Sequence, residues 1–452
     1  MGAFLIPFMG SSLNVALPEI GREFAMSAIS LSWVATSFLL TSAMCLVPFG
    51  RLADIYGRKR IFAYGVAVYT ISSLLAAIST SAGFLIAARA VQGIGGAMIF
   101  GTGMAILTSV FPAHERGKAL GVNVAAVYLG LSLGPPLGGL LTQHLGWRSI
   151  FLVNVPLGLT ILLATARVLQ GEWAEARGER FDWIGSAVYS LSLVALMYGF
   201  SRLPATLGVW LIAAGIAGLG GFILWETKVL SPILNVNLFR HNQVFALSNL
   251  AALINYSATF AVGFLLSLYL QYIKGFSPQN AGLILVAQPA VQAAFSPLAG
   301  RLSDRIEPRV VASMGMALTV IGLSFLSFLD ADMTLALIVA DLMLLGFGFA
   351  LFSSPNTNAV MSSVDRRFYG IASGTLGTMR LIGQMLSMGI ATLVFALYIG
   401  QVQITPEYHL RFLKSARLIF TIFAALCFGG IFASLGRGKV HETARPQRMP
   451  KK

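Results

Sequence analysis

Ionisable side chains are scarce within the apolar runs of this chain, so each one found there is a candidate for chemistry. Asp341 is the only carboxylate deep in such a run, and Arg89 and Arg380 are its cationic counterparts. Charges at membrane depth are costly, and they commonly mark proton, ion or substrate pathways. Asp341 lies about eight residues into its run, roughly 12 Å at the helical rise, and Arg380 about ten residues into the next, antiparallel one. The two can therefore reach a similar depth. A carboxyl group there, its proton affinity adjusted in opposite senses by burial and by a guanidinium, can take up and release a proton. Two readings stand: Asp341 carries a coupling proton with Arg380 setting its affinity, or the pair stitches two helices together.

The elements that hold these residues are membrane-spanning helices. Apolar residues make up 56% of the 452 and charged residues only 11%, with a mean hydropathy of +0.79. A soluble domain carries about 25% charge, so this chain cannot clothe itself for water. Residues 61–110 contain one charged residue, Arg89, and 242–300 contain one, Lys274; each stretch is long enough for two crossings of about 20 residues. The runs are continuously apolar rather than alternating, which favours helices over a β-barrel. Fourteen spans are expected, at 2–19, 30–49, 61–80, 83–110, 119–142, 147–169, 184–202, 207–226, 244–271, 279–299, 310–329, 334–353, 370–398 and 417–436. A polar stretch, Gln170 to Asp182, separates the sixth and seventh.

The net charge of +14 follows the topology. With the loop after the second span in the cytoplasm, 22 Lys/Arg fall on the cytoplasmic side and seven on the other, and Arg89 and Arg380 complete the 31. That is the positive-inside bias, not a nucleic-acid footprint, and it puts both termini in the cytoplasm. Cys45 and Cys427 fall within spans as small apolar residues, with no disulfide framework. The chain enters its first span almost at once and lacks the basic start of a cleaved signal, so a start codon upstream is a further expectation.

An internal repeat organises the spans. Gly50-Arg51-Leu52-Ala53-Asp54 recurs as Gly300-Arg301-Leu302-Ser303-Asp304, each copy directly after the second span of a six-span block. The expected division is a bundle at 1–170, a linker with two extra spans at 171–243, a second bundle at 244–436 and a basic tail at 437–452. Parallel repeats about a central pathway are a transporter feature.

Gly50 through Arg60 resembles motif A of the major facilitator superfamily, and Gly300–Arg309 resembles a degraded second copy. Arg89-Ala90-Val91-Gln92-Gly93-Ile94-Gly95 resembles motif B. Gly130 followed by Gly134-Pro135-Pro136-Leu137-Gly138-Gly139 resembles motif C, which marks antiporters. Asn14-Val15-Ala16-Leu17-Pro18 and Gly146-Trp147-Arg148 through Asn154-Val155-Pro156 are similar to the fourteen-span drug:proton antiporter family. The resemblance implies an all-α integral membrane protein of the major-facilitator fold, two six-helix bundles plus two extra helices. It implies secondary active export of small molecules by proton antiport, with no enzyme activity.

The resemblance also assigns roles to residues. Gly50 and Gly57 permit a tight turn of two or three residues. Asp54, with Arg58, is expected to pair locally and cap a helix of the other bundle, latching the cytoplasmic side; the alternative is a solvated carboxylate held by Arg58. Asp304 is its counterpart in the repeat. In motif C, Gly130, Gly134, Gly138 and Gly139 have small-residue spacing for close helix contact, and Pro135 and Pro136 bend the span to seal the pathway. Arg89 is expected to take part in proton transfer by tuning a carboxylate, or else to snorkel to the headgroups. One departure matters: Met9-Gly10-Ser11-Ser12 offers no carboxylate where the family carries one in the first span. Coupling is therefore referred to Asp341.

The remaining polar residues in spans are neutral, and Asn14, Gln288, Gln292 and Gln384 are candidates to line a cavity for neutral or amphipathic cargo. No P-loop for an ATP-driven pump and no His/Cys metal cluster is present in the sequence, so no cofactor or metal is expected. A lipid-modifying enzyme would need a converging set of nucleophile, acid or metal ligands that the sequence does not supply. A receptor or assembly partner usually adds a soluble domain, and the longest polar segment is the tail. The expected partners are a small-molecule substrate, protons and the bilayer, with the chain acting as a monomer; a metabolite exporter or facilitator without proton coupling is the alternative within transport.

Overall fold

The computed structural model describes residues 2–111, 115–229, 232–234, 236–364 and 369–438. Among them fourteen helices are long and apolar enough to cross a membrane. They are α1 (Gly2–Glu23), α2 (Ala28–Tyr56), α3 (Arg58–Ala77), α4 (Ala82–Val110), α5 (Arg116–Leu145), α6 (Arg148–Val168), α7 (Trp183–Arg202) and α8 (Thr206–Glu226). The series continues with α9 (Gln243–Ile273), α10 (Pro278–Arg305), α11 (Pro308–Leu326), α12 (Leu335–Ser362), α13 (Tyr369–Tyr398) and α14 (Pro406–Gly436). Helix starts are set by capping side chains that accept orphan backbone N–H groups. Ser27 caps α2, Ser81 α4, Asp182 α7, Asn242 α9, and Ser277 with Pro278 α10.

Several helices outrun the apolar runs that announce them. α2 continues from 49 to Tyr56, and α12 from 353 to Ser362. Hydropathy records only the part of a helix in hydrocarbon, whereas backbone hydrogen bonding carries the helix on into water. The first motif A copy is consequently the helical end of α2, not a loop. The expected turn of two or three residues is one residue, Gly57, between Tyr56 and Arg58.

The repeat seen in the sequence is a repeat of packing. In the first bundle α1 packs on α5, α2 and α3 on α4, and α3 on α6; in the second, α9 packs on α13, α10 and α11 on α12, and α11 on α14. Each second-bundle pair is a first-bundle pair shifted by eight helices. The bundles meet through α2 against α13 and α5 against α10, which leaves α1 and α9 facing each other along the seam. α7 rests on α2 and α13 at one side of the seam, and α8 packs on α7.

Candidate functional site

The motif A end of the molecule, here called the basic end, is organised by one buried arginine. Arg58 is 7% exposed. Its Nε donates to Asp54 Oδ1 at 2.8 Å, and its Nη1 donates to Ser109 Oγ on α4 and to Glu175 Oε1, each at 2.8 Å. The polar stretch after α6 lies across this turn as a strap. Arg58 N donates to Trp173 O and Ala176 N to Asp54 O, both at 2.9 Å. Glu172 accepts from Lys59 N at 2.8 Å, and Glu179 pairs with Arg51 at 2.5 Å. In this conformation Asp54 is bonded within its own bundle; a cap on a helix of the other bundle is not among its described contacts. Gly57 must be glycine because its φ is +119° and a Cβ would come 2.6 Å from Glu172 Cγ. In the second copy, Asp304 Oδ1 accepts from Asn358 Nδ2 at 3.2 Å.

The opposite end is where the bundles are joined. Every hydrogen bond described between them lies in that half. Ser32 Oγ and Thr392 Oγ1 are 2.8 Å apart, Ala28 N donates to Val402 O at 3.0 Å, and Gln279 N donates to Gln143 Oε1 at 3.2 Å. The Asn14–Pro18 run explains the tightest group. Pro18 has no N–H, so the Asn14 carbonyl lacks its helical donor, and Ser267 Oγ supplies one at 2.6 Å from the other bundle. A π-helical turn at Tyr269–Ile273 presents two more donors: Gln271 Nε2 to Val15 O at 2.9 Å and Tyr272 OH to Pro18 O at 3.2 Å.

Motif C packs as its spacing predicts. A Cβ on Gly130 would meet Phe4 O at 2.6 Å, on Gly134 Phe8 O at 2.9 Å, and on Gly138 Ser12 Cα at 2.6 Å, so α5 lies backbone to backbone on α1. Ser12 Oγ adds a hydrogen bond to Gly134 O at 2.9 Å. Gly139 faces Pro278 across the seam, and Pro135 faces Gly282.

The expected Asp341–Arg380 pair is not formed. Asp341 is buried on α12 against Gly322 of α11 and makes no hydrogen bond or ion pair among the described residues. Arg380 Nη2 instead donates to Thr357 Oγ1 at 2.7 Å, and its guanidinium lies 5.6 Å from the Tyr256 ring centroid. Thr357 is sixteen residues beyond Asp341 on the same helix, about 24 Å along the axis. The reason is the length of α12: its run to Ser362 puts Asp341 in the third nearest the opposite end. α13 starts at the basic end, and helical side chains lean toward their own N-terminus, which carries the Arg380 head further away.

Arg89 is 2% exposed and does not snorkel. Its Nε donates to Val34 O at 3.1 Å, its Nη1 donates to Gln92 Oε1, and it lies 4.5 Å from the Phe38 ring centroid. Gln92 Nε2 continues the chain to Ser73 Oγ at 2.7 Å. The carboxylate partner implied by the resemblance is absent from its described contacts; Arg89 joins α2, α3 and α4 through neutral groups. Asn14, Gln288, Gln292 and Gln384 stand on the seam helices α1, α10 and α13, and no hydrogen bond is described for their side chains.

Two clusters escaped the sequence reading. Arg437, the first residue of the expected tail, is buried in the second bundle. It donates to Asn356 Oδ1 at 2.7 Å, to Ser434 Oγ and Pro308 O at 3.1 Å each, and to Ser248 Oγ at 3.2 Å. A cation beside a terminal segment gives no signal of burial; residues 439–452 lie outside the described ones. At the opposite end Glu23 accepts from Arg148 Nη2 and Trp147 Nε1, both at 2.6 Å. That clamp ties α1 to the start of α6 and gives the Gly146-Trp147-Arg148 motif a structural task.

The family model described as Major Facilitator Superfamily matches residues 1–247 and 248–451. The chain is 29% identical to the riboflavin transporter RibZ of Clostridioides difficile over 443 residues, 96% of this chain and 95% of that one. It is 33% identical to the multidrug resistance protein Stp of Mycobacterium tuberculosis over 420 residues, 91% and 76% of the respective chains. Among solved structures, the nucleoside transporter NupG superposes with a TM-score of 0.64 over 97% of this chain and 99% of that chain, at 14% identity. That likeness is one of fold.

Proposed function

This chain belongs to the Major Facilitator Superfamily, a family of small-molecule transporters, and from that premise we propose that it exports small amphipathic molecules by proton antiport and alternating access. The observation that carries the reading is the one-sided seam. All described hydrogen bonds between the bundles lie at the opposite end, which is the arrangement of a carrier closed on one face and able to open on the other. The basic end is the cytoplasmic one, with both termini on that side, in keeping with the distribution of Lys and Arg. Residues 1–170 and 244–436 are the rocking bundles, and 171–243 joins them. Likeness to a multidrug resistance protein supports export.

Asp341 is the proton carrier in this reading, now without Arg380 as its tuner. It is buried, and no hydrogen bond or ion pair to it is described. Arg89 and the motif A pair, Asp54 with Arg58, act on the conformational change rather than on the proton. The test is flux in proteoliposomes with an imposed pH gradient. Wild-type flux should follow the gradient, and folded Asp341→Asn should lose that dependence. Flux indifferent to the gradient in the wild type rejects antiport; full gradient-driven flux in Asp341→Asn rejects the assignment of Asp341.

A second reading has an observation of its own. Asp341 faces α11 rather than an arginine on the seam, and the first span has no carboxylate. Both favour a metabolite exporter or facilitator without proton coupling, which the same experiment separates.

A further inference from the structure

Three arginines lie within the helical body away from the motif A strap, and they differ in how fully they are satisfied. Arg437 makes four hydrogen bonds, and Arg89 is held by a carbonyl, an amide and a ring. Arg380 makes one, to the Thr357 hydroxyl; its Nε, like that of Arg437, is buried without a partner. Among the described residues it has no ion pair, and the carboxylate expected to neutralise it is about 24 Å away along α12. A guanidinium has five N–H donors and remains charged. Held half-buried with its Nε unpartnered and one described hydrogen bond, it is an incomplete site at a depth where an unpaired cation is expensive.

The chemistry of its surroundings suits one class of molecule. The guanidinium lies over Tyr256 of α9, and Tyr256 packs edge-on against Phe349 of α12 with ring centroids 5.3 Å apart. An aromatic pair with a planar forked donor at its edge suits a carboxylate or sulfonate on an apolar body. Gln384, half-buried one helical turn beyond Arg380 on α13, adds a neutral polar group on the same side of that helix. No carboxylate is described in contact with this group, and the fixed positive charge of Arg380 disfavours a cationic cargo there.

We propose that Arg380, Tyr256 and Phe349 form a subsite for the acidic group of an amphipathic organic anion, and that such anions are the cargo class. The proposal rests on the reading of this chain as a carrier opening along the α13 seam. It is tested by binding, which requires no flux. The full chain in nanodiscs is equilibrated by dialysis against 1-pyrenebutyrate and, separately, 1-pyrenebutylamine, with empty discs subtracted. The acid should bind about tenfold or more tightly than the amine, the scale of hydrogen bonds to a charged group. Arg380→Ala should abolish that preference, and Arg380→Lys, which keeps the charge without the fork, should retain part of it. Thr357→Ala, which frees Nη2 and drops a hydroxyl bond within α12 to the Ser353 carbonyl, should leave the acid bound at least as well. Equal binding of acid and amine, no specific binding of the acid, or undiminished acid binding by Arg380→Ala that melts like the wild type would each overturn the proposal. A carrier that binds the acid yet shows no gradient-driven flux would instead overturn antiport alone.

Discussion

The two copies of the repeated pentapeptide end their helices at the same face of the molecule with different chemistry. In the first, the organising cation is local: Arg58, four residues beyond Asp54, holds that carboxylate, reaches Ser109 on α4 and is covered by the strap. In the second, the position matching Arg58 is Pro308, which starts α11 and has no side-chain donor. The buried cation there is Arg437, brought from 129 residues away to the Pro308 carbonyl and to Asn356 on α12. The turn differs too, since Gly57 has φ +119° whereas Glu307 has φ −48°. The same place in two repeats thus needs a cation to tie two helix ends together, and it does not matter to the packing where in the sequence that cation resides. What differs is access: the Arg58 partners Asp54 and Glu175 are 35% and 72% exposed, while Arg437 is sealed in.

That difference can be broken or sharpened by substitution. The largest effect is expected for Arg437→Ala, which leaves Asn356 Oδ1 and the Pro308 carbonyl without their donor at about 1–3 kcal/mol for each buried group. Its unfolding midpoint in detergent should fall well below that of Arg58→Ala, whose partners can turn to water; equal midpoints would break the comparison. Next comes Gly57→Ala, which forces a positive φ on an L-residue at about 1–3 kcal/mol. No such cost attaches to the matching turn, where Glu307 has a negative φ, and denaturant titration of Gly57→Ala against the wild type checks the size of the effect.

A smaller effect is expected when Glu172, Glu175 and Glu179 are all changed to Gln. Exposed ion pairs contribute about 0–1 kcal/mol each, so stability should hardly move, but the strap should become easier for trypsin to cut at Arg177 and Arg180. Raising salt should make the wild type behave in the same way; a wild-type strap equally resistant at low and high salt would show that its backbone bonds, not its charges, keep it in place. The smallest effect is expected for Asp304→Ala, an exposed residue whose one described contact is the 3.2 Å hydrogen bond from Asn358, and its melting profile should stay within error of the wild type.

Much of this was legible in the residues. The number of spans, the repeat and the small-residue faces of Gly130, Gly134 and Gly138 follow from spacing, because a helix turns side chains outward at a fixed period whatever it packs against. The Asp341–Arg380 pairing failed because it depended on where helices end, and polar helix ends past the hydrocarbon carry no hydropathy signal. Arg437 was missed for the opposite reason: a charge near a terminus looks solvated unless its acceptors, contributed by α9, α11, α12 and α14, are known.

The sequence by itself determined a membrane protein of fourteen helices in two related halves, because the backbone must be satisfied internally in lipid and long apolar runs without alternation suit helices rather than barrel strands. Tertiary structure alone decided which buried charges are paired, which end of the seam is closed, and that Pro18 leaves a carbonyl for Ser267 to bond. Each of these depends on contacts between helices far apart in the chain, at distances of a few ångströms that residue spacing does not encode.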